Sequence, residues 1–419
     1  MNRSTAREFA APQARVEPGE VLVPTEIGDP VRGALACPAA PLVSGTLRRK
    51  GKRVSHAPAG PCADPGQDGG GAALFVATCL RRDGSTVAVA AAASPADRVA
   101  VAAARSAVDE WSAVVGTRSL LAADSPWCSG ATRALAVVRR ALEGRRTVHV
   151  YHEIAGDPDA IAGLAGRGAV FVRSLDEVPD GASVVFPAHG VPAEVRAEAA
   201  ARGLDVIDAT CPLVAGVHAE ARKVAEHGDD LVLIGQPGHR AVAGIVAQAP
   251  ARTALVSSPG STATLQVTDS RRVSYLLQPG IPVEDAAPVA AALRSRFPAV
   301  RGPNPDGFCY AASDRAESIR VIASASDVML VVGAADSPDS RHLHGLARDG
   351  GARAHIIEEA GDIEPAMLSG VSVIGLAEST SARPALAGQV TEALSGLGPL
   401  SVTRRRVITE LVGAPAGQP

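Results

Sequence analysis

The chain has 419 residues, a formal net charge of −3, 46% hydrophobic residues and only 3% aromatic residues. This length suits two or three domains with substantial cores, while the lack of a basic surplus and of aromatics argues against a nucleic-acid partner. No apolar run reaches the roughly 20 residues of a membrane-spanning helix, and the opening MNRSTAREFAAPQARVEPGE has no apolar core ahead of a cleavage site, so a cytoplasmic protein with no membrane partner is expected.

Taken in chain order, residues 1–20 and 56–71 are rich in Pro, Gly and Ala without periodic apolar spacing and read as a tail and a loop. VLVPTEI, LFVATCL and TVAVAAAA read as strands and PADRVAVAAARSAVDEWSAVVG as a helix, which makes residues 1–120 a tail and a small α/β extension. From about residue 120 the pattern becomes regular. VHVYHEI precedes the helical DPDAIAGLAG, SVVFPAHG precedes PAEVRAEAAARG, and LDVIDATC precedes PLVAGVHAEARKVAEHG, a βαβ rhythm that predicts parallel sheets flanked by helices. DLVLIGQPGHR, VSYLLQPG, DVMLVVGAADS and VSVIGLAESTS continue it. His189, Cys211, His239, Ser337 and Ser381 fall at the carboxyl ends of such strands, where open α/β sheets gather ligand sites.

Six cysteines without a CxxC pair exclude a zinc ribbon or thioredoxin-type site, and a reducing compartment argues against a disulfide framework. Three of them repeat one design: SPWCSGATRALAVVRRAL, DATCPLVAGVHAEARKVA and DGFCYAASDRAESIRVIA each put a cysteine, Cys128, Cys211 or Cys309, just before an amphipathic helix. The helix dipole there lowers a thiol's pKa and favours the thiolate that binds iron. Three thiolates on a 4Fe-4S cube leave one iron without a protein ligand; ordinary buried cysteines are the alternative reading. A second metal site at Cys37, Cys62 and Cys79 is disfavoured, since they lack paired spacing and nearby histidines.

From Pro126 to Leu394 the chain resembles the LytB family of hydroxymethylbutenyl diphosphate reductases. The resemblance rests on HE in VYHEIAGD, then RGAVFV, EVPDG, AHGV, DATCPLV, GHR, RFP, CYA and VVGAADSPDS, in that order. It implies three similar α/β lobes in a trefoil around a central 4Fe-4S cluster held by Cys128, Cys211 and Cys309, and leaves the N-terminal α/β extension outside the match. The implied segments are 121–212, 213–310 and 311–400, followed by a tail at 401–419. It implies reductive dehydroxylation of an allylic alcohol diphosphate to isopentenyl and dimethylallyl diphosphates, with electrons from a ferredoxin or flavodoxin. His189, His239, Ser337 and Ser381 match family residues that contact the diphosphate. His152 is expected to support its loop, and the remaining histidines are expected at the surface.

The sequence departs from the family at Gly156 (a pocket histidine), Ala241 (the glutamate of the proton relay), Pro279 (a relay threonine), and Pro338 and Asp339 (a serine and an asparagine at the diphosphate). A positioned acid contributes roughly 10²–10⁴-fold, and a carboxylate beside a diphosphate repels it. Two readings follow: a divergent reductase with reduced or altered activity, or a cluster-binding protein with a structural, redox-sensing or partner-binding role and no turnover.

Overall fold

The computed structural model describes residues 6–63, 71–123, 128–152, 154, 158–304, 307–383 and 385–408. It divides into two compact units, Met1–Asp124 with Ser318–Arg405 and Ser125–Glu317 with Arg406–Pro419. Among the described residues no helix is long and apolar enough to cross a membrane.

In the first unit, Ala72–Leu80 and Thr86–Ala93 form an antiparallel hairpin, with Glu20–Leu22 and Arg53–Ser55 beyond Thr86–Ala93 and Arg7–Ala11 on the other edge. Arg7–Ala11 pairs antiparallel with Val76–Ala72, so the opening segment, expected as a tail, contributes a strand. Long-range pairing of this kind leaves no local periodicity to read. The helix Arg98–Ala113 lies on this sheet. Asp97 caps it by accepting from the N–H groups of Val99 and Ala100, at 3.1 and 2.9 Å. The second sheet of the unit is all parallel and runs Arg353–Ile357, Val328–Val332, Val373–Glu378, Arg118–Ala123, Leu400–Arg405. Residues on either side of the expected boundary at 120 therefore supply one strand of the sheet that holds residues 328–378. Residues 401–405, expected at the start of a tail, lie in its edge strand, Leu400–Arg405.

One hydrophobic core runs through both sheets, from Ala11, Leu42 and Trp111 to Leu330, Ile374 and Val390. Two glycines bring the extension and the parallel sheet together. The helix Ala40–Arg49 lies so close to the turn Ala360–Asp362 that a Cβ on Gly45 would stand 1.9 Å from the Gly361 carbonyl oxygen. Arg49 donates to the carbonyls of Gly361 (2.7 Å) and Ile363 (3.4 Å) across the same joint.

The second unit carries two parallel sheets. One runs Ala169–Val172, Val148–Tyr151, Ser183–Phe186, Asp205–Asp208; the other runs Thr253–Val256, Asp230–Ile234, Val273–Leu277. Five of these seven strands fall within expected runs, because strands covered by helices on both faces read as continuous apolar segments; Ala169–Val172 and Thr253–Val256 were not read as strands. Beneath the second sheet, buried Asp229 accepts from Arg272 at 3.2 Å and from Ser274 at 3.3 Å, and pairs with Arg301.

Gly45→Ala is expected to lower stability by about 1–3 kcal/mol, the usual cost of forcing atoms into a packed joint. Chemical denaturation would show this as a lower midpoint at unchanged slope.

Candidate functional site

The DATCP segment is built as a rigid turn. Asp208 ends its strand and accepts at one carboxylate oxygen from the N–H (2.9 Å) and hydroxyl (2.5 Å) of Thr210, an Asx turn. Its other oxygen pairs with Arg196 at 2.8 Å. Burial alone would raise the pKa of Asp208, but the Thr210 bonds and Arg196 bring it below the ordinary value. The Cys211 N–H then donates to the Ala188 carbonyl at 2.9 Å, and Pro212 opens the helix Pro212–Glu226 with Cys211 as its N-cap.

Cys128 is the N-cap of Ser129–Glu143, and its sulfur accepts from the Ala131 N–H at 3.4 Å. From that helix Arg133 donates to the Thr210 carbonyl at 3.1 Å, tying it to the Cys211 turn. Cys309 precedes Ala311–Ser324 by two residues, and its sulfur takes hydrogen bonds from the Ala311 and Gly280 N–H groups. The thiols of Cys128 and Cys211 border one small space: a Cβ on Gly130 would stand 2.9 Å from the Cys211 Sγ and 3.7 Å from the Cys128 Sγ. Cys309 is close enough to both for their charges to bear on its titration.

The lowered pKa expected of a helix N-terminus is not found at Cys309. Burial pushes this thiol up and outweighs the Ala311 N–H, and Cys128 and Cys211 push the same way. Among the described residues, no three His, Cys, Asp or Glu side chains are gathered as tightly as a single metal ion requires.

His189 follows the strand Ser183–Phe186, and His239 is the N-cap of Arg240–Val246. Their rings meet edge to face, with centroids 5.4 Å apart and planes at 80°. The His239 Nδ1 accepts from the Ala241 N–H at 3.2 Å, so the neutral ring carries its proton on Nε2 and presents a donor. Burial, then His239 and Arg240, lower the pKa of His189 to about 4; burial lowers that of His239. Ala241 is fully buried. Pro279 lines, with Cys309, Phe308, Leu213 and Gln278, a cavity of about 240 Å³.

Ser337 and Ser381 belong to the first unit. Ser337 is the N-cap of Pro338–Asp349, and its hydroxyl makes no cap bond. Ser381 joins buried Ser340 and Ser379 in a hydroxyl cluster, at 3.2 and 2.6 Å, and accepts from the Ala334 N–H at 3.0 Å. Gly333 (φ +153°) makes room for that cluster, since its Cβ would stand 2.1 Å from the Ser379 hydroxyl. Asp339, read from sequence as a repulsive charge, accepts from the Thr380 N–H at 2.6 Å and so holds the Ser381 loop.

Two residues escaped the sequence reading. Gly130 directly follows the Cys128 motif and supplies the space between two thiols. His218, expected at the surface with the other unassigned histidines, is buried, as is His149. His218 sits with Val214 and Ala221 in the buried stripe of the Cys211 helix, and that i, i+4, i+7 spacing was readable. His152 has a left-handed backbone (φ 59°) and stacks edge-on against Tyr151. Gly156 and Glu153 lie outside the described residues.

His189 and His218 both have pKa values lowered from 6.5 to about 4, with burial as the largest cause. The unfolded chain therefore binds more protons between these values. Stability is expected to be fully present above about pH 6.5 and to fall as pH drops towards 4. Thermal melts across that window would show it, and imidazole NMR titration would show both rings still neutral at pH 5.5.

A family model described as LytB protein matches residues 120–395. A 4-hydroxy-3-methylbut-2-enyl diphosphate reductase of Mycobacterium bovis is 43% identical over 298 residues, covering 70% of this chain and 91% of the relative. One of Bordetella pertussis is 41% identical over 297 residues, covering 71% and 91%. Among solved structures, the E-1-hydroxy-2-methyl-but-2-enyl-4-diphosphate reductase of Plasmodium falciparum is similar with a TM-score of 0.61 at 25% identity, over 72% of this chain and 96% of that one. The match to the family model over more than half of the sequence, together with relatives above 40% identity, makes this chain a member of the LytB family.

Proposed function

We propose that the chain is a 4-hydroxy-3-methylbut-2-enyl diphosphate reductase, an oxidoreductase that replaces an allylic hydroxyl by hydrogen. The observation that carries this reading is the gathering of three cysteines from distant parts of the sequence, two of them facing across Gly130 and the third electrically coupled to both. The relatives that bear the name of this activity match this chain over about nine tenths of their own length.

Cys128, Cys211 and Cys309 would hold a 4Fe-4S cluster. The donor set fits: three thiols near helix starts, of which Cys128 receives the Ala131 N–H and Cys309 those of Ala311 and Gly280, contacts that stabilise thiolate charge. When bound, the cluster supplies two electrons, taken one at a time from an external low-potential carrier of the ferredoxin or flavodoxin class.

The balance is R–OH plus two electrons and two protons giving R–H and water. The chain's own groups bind and orient. The Nε2–H of His239 and the ring of His189 offer neutral donors to diphosphate oxygens, and the resemblance assigns Ser337 and Ser381 to the same diphosphate. Neutral donors suit this role because they make hydrogen bonds to an anion without first being desolvated as charges. Ala241 supplies no acid, so the proton for the leaving hydroxyl comes from another donor.

Anaerobic reconstitution with iron and sulfide, followed by assay with hydroxymethylbutenyl diphosphate and an artificial one-electron donor, tests this reading. Formation of isopentenyl and dimethylallyl diphosphates is the expected result. A fully loaded protein that forms neither would exclude the reaction and favour the non-catalytic cluster-binding reading.

Gly130→Ala is expected to lower the iron bound per chain, since the added methyl meets the Cys211 sulfur at 2.9 Å. Iron analysis alongside an unchanged circular dichroism spectrum would separate this effect from unfolding.

A further inference from the structure

His218 lies two helical turns beyond Cys211 and is 5% exposed. Its ring is wedged between the loop that carries His189 and the helix capped by His239. A Cβ on Gly190 would stand 3.0 Å from the His218 Cε1, and a Cβ on Gly244 would stand 3.1 Å from its Nε2. Both neighbours are thus glycines because the imidazole occupies their side-chain space. Gly190 also has φ +70°, a left-handed conformation that glycine adopts without strain.

The Nε2 of His218 is buried and has no hydrogen-bond partner. An orphaned buried nitrogen costs roughly 1–3 kcal/mol, so packing alone would favour a hydrocarbon ring of the same shape. The matching group stands beside it. The His189 carbonyl oxygen is 3.5 Å from the same Gly244 Cβ position that lies 3.1 Å from Nε2, and no hydrogen bond to that carbonyl occurs among the described residues. A lone donor site and a lone acceptor thus face one small space, and the acceptor sits on a turn closed by the Gly190 N–H on the Pro187 carbonyl at 2.9 Å.

We propose that His218 is a positioning residue for His189: its Nε2–H donates to the His189 carbonyl when His189 turns onto an anionic ligand, locking the loop in the binding orientation. This rests on the diphosphate reading of the His189 and His239 pair. The burial and the nearby Arg222 and Arg196, against Asp208, keep the ring neutral, so it has one N–H to give and one nitrogen free.

The test uses the full chain with inorganic pyrophosphate as probe. Long-range proton–nitrogen spectra of labelled histidine are expected to show His218 protonated on Nε2, with that proton protected from exchange when pyrophosphate is bound. His218→Phe, which keeps the ring's shape, is expected to melt at or above the wild-type temperature yet bind pyrophosphate about five- to tenfold more weakly. His218→Gln, whose amide nitrogen reaches the place of Nε2, is expected to recover most of that affinity. Equal affinity of the Phe variant and the wild type overturns the proposal, as does a ring protonated on Nδ1. A wild-type protein that binds no pyrophosphate counts against the diphosphate reading; the tautomer then decides on His218, and protonation on Nδ1 rejects it.

Discussion

The hydrogen bond from the Cys211 N–H to the Ala188 carbonyl extends the parallel ladder of Ser183–Phe186 and Asp205–Asp208 past the ends of both strands. Its consequence is positional. Ala188 is followed by His189, and Cys211 by the first turn of a helix, so one backbone bond holds the His189 loop beside the Cys211 turn. The Asx turn at Asp208 and the Arg196 pair hold the second strand end in the conformation this bond needs. Arg133 then draws the Cys128 helix to the same turn through the Thr210 carbonyl. Loss of this bond would leave each ligand on its own loop, and metal and anion sites lose affinity quickly when their ligands drift.

Cys128, Cys211, His239 and Ser337 all occupy N-cap positions, but they use them differently. Cys128 and His239 spend an acceptor on a helix N–H, which for His239 leaves the opposite nitrogen as a donor. Cys211 and Ser337 make no cap bond, and each is followed by proline, which has no N–H to satisfy at the first helical position. Their sulfur and hydroxyl remain available, while the unpaired amides of the first turn favour negative charge nearby.

Most strands from residue 148 onward were legible because each is a single apolar run with a cysteine, histidine or serine motif at its end, whereas Ala169–Val172, Thr253–Val256 and Arg353–Ile357 were not read. The extension was legible only in part. Ala72–Leu80 and Thr86–Ala93 announce themselves by composition, whereas Arg7–Ala11 is a strand only because Val76–Ala72 lies beside it. Arg118–Ala123 and Leu400–Arg405 likewise depend on partners far away in sequence. Gly45 looks like a flaw in a helix until Gly361 is seen against it. The upward push on the Cys309 thiol was hidden for a similar reason: a helix start is a local feature, and burial among two other thiols is not.

The departures from the family pattern bear unequally on the site. At Ala241 it is the backbone N–H that orients His239, so a change of side chain leaves the imidazole where it was and alters only what can supply a proton. At Asp339 the carboxylate is tied to the Thr380 N–H in the first turn of a helix, where negative charge is favoured, and part of its charge is spent on positioning the loop that carries Ser381. Under the proposed reading, holding the ligand and delivering the acid are therefore separable. A substrate that brings its own proton donor, or whose hydroxyl leaves readily, would be handled by the binding groups alone, whereas one that needs an enzymic acid would bind and wait.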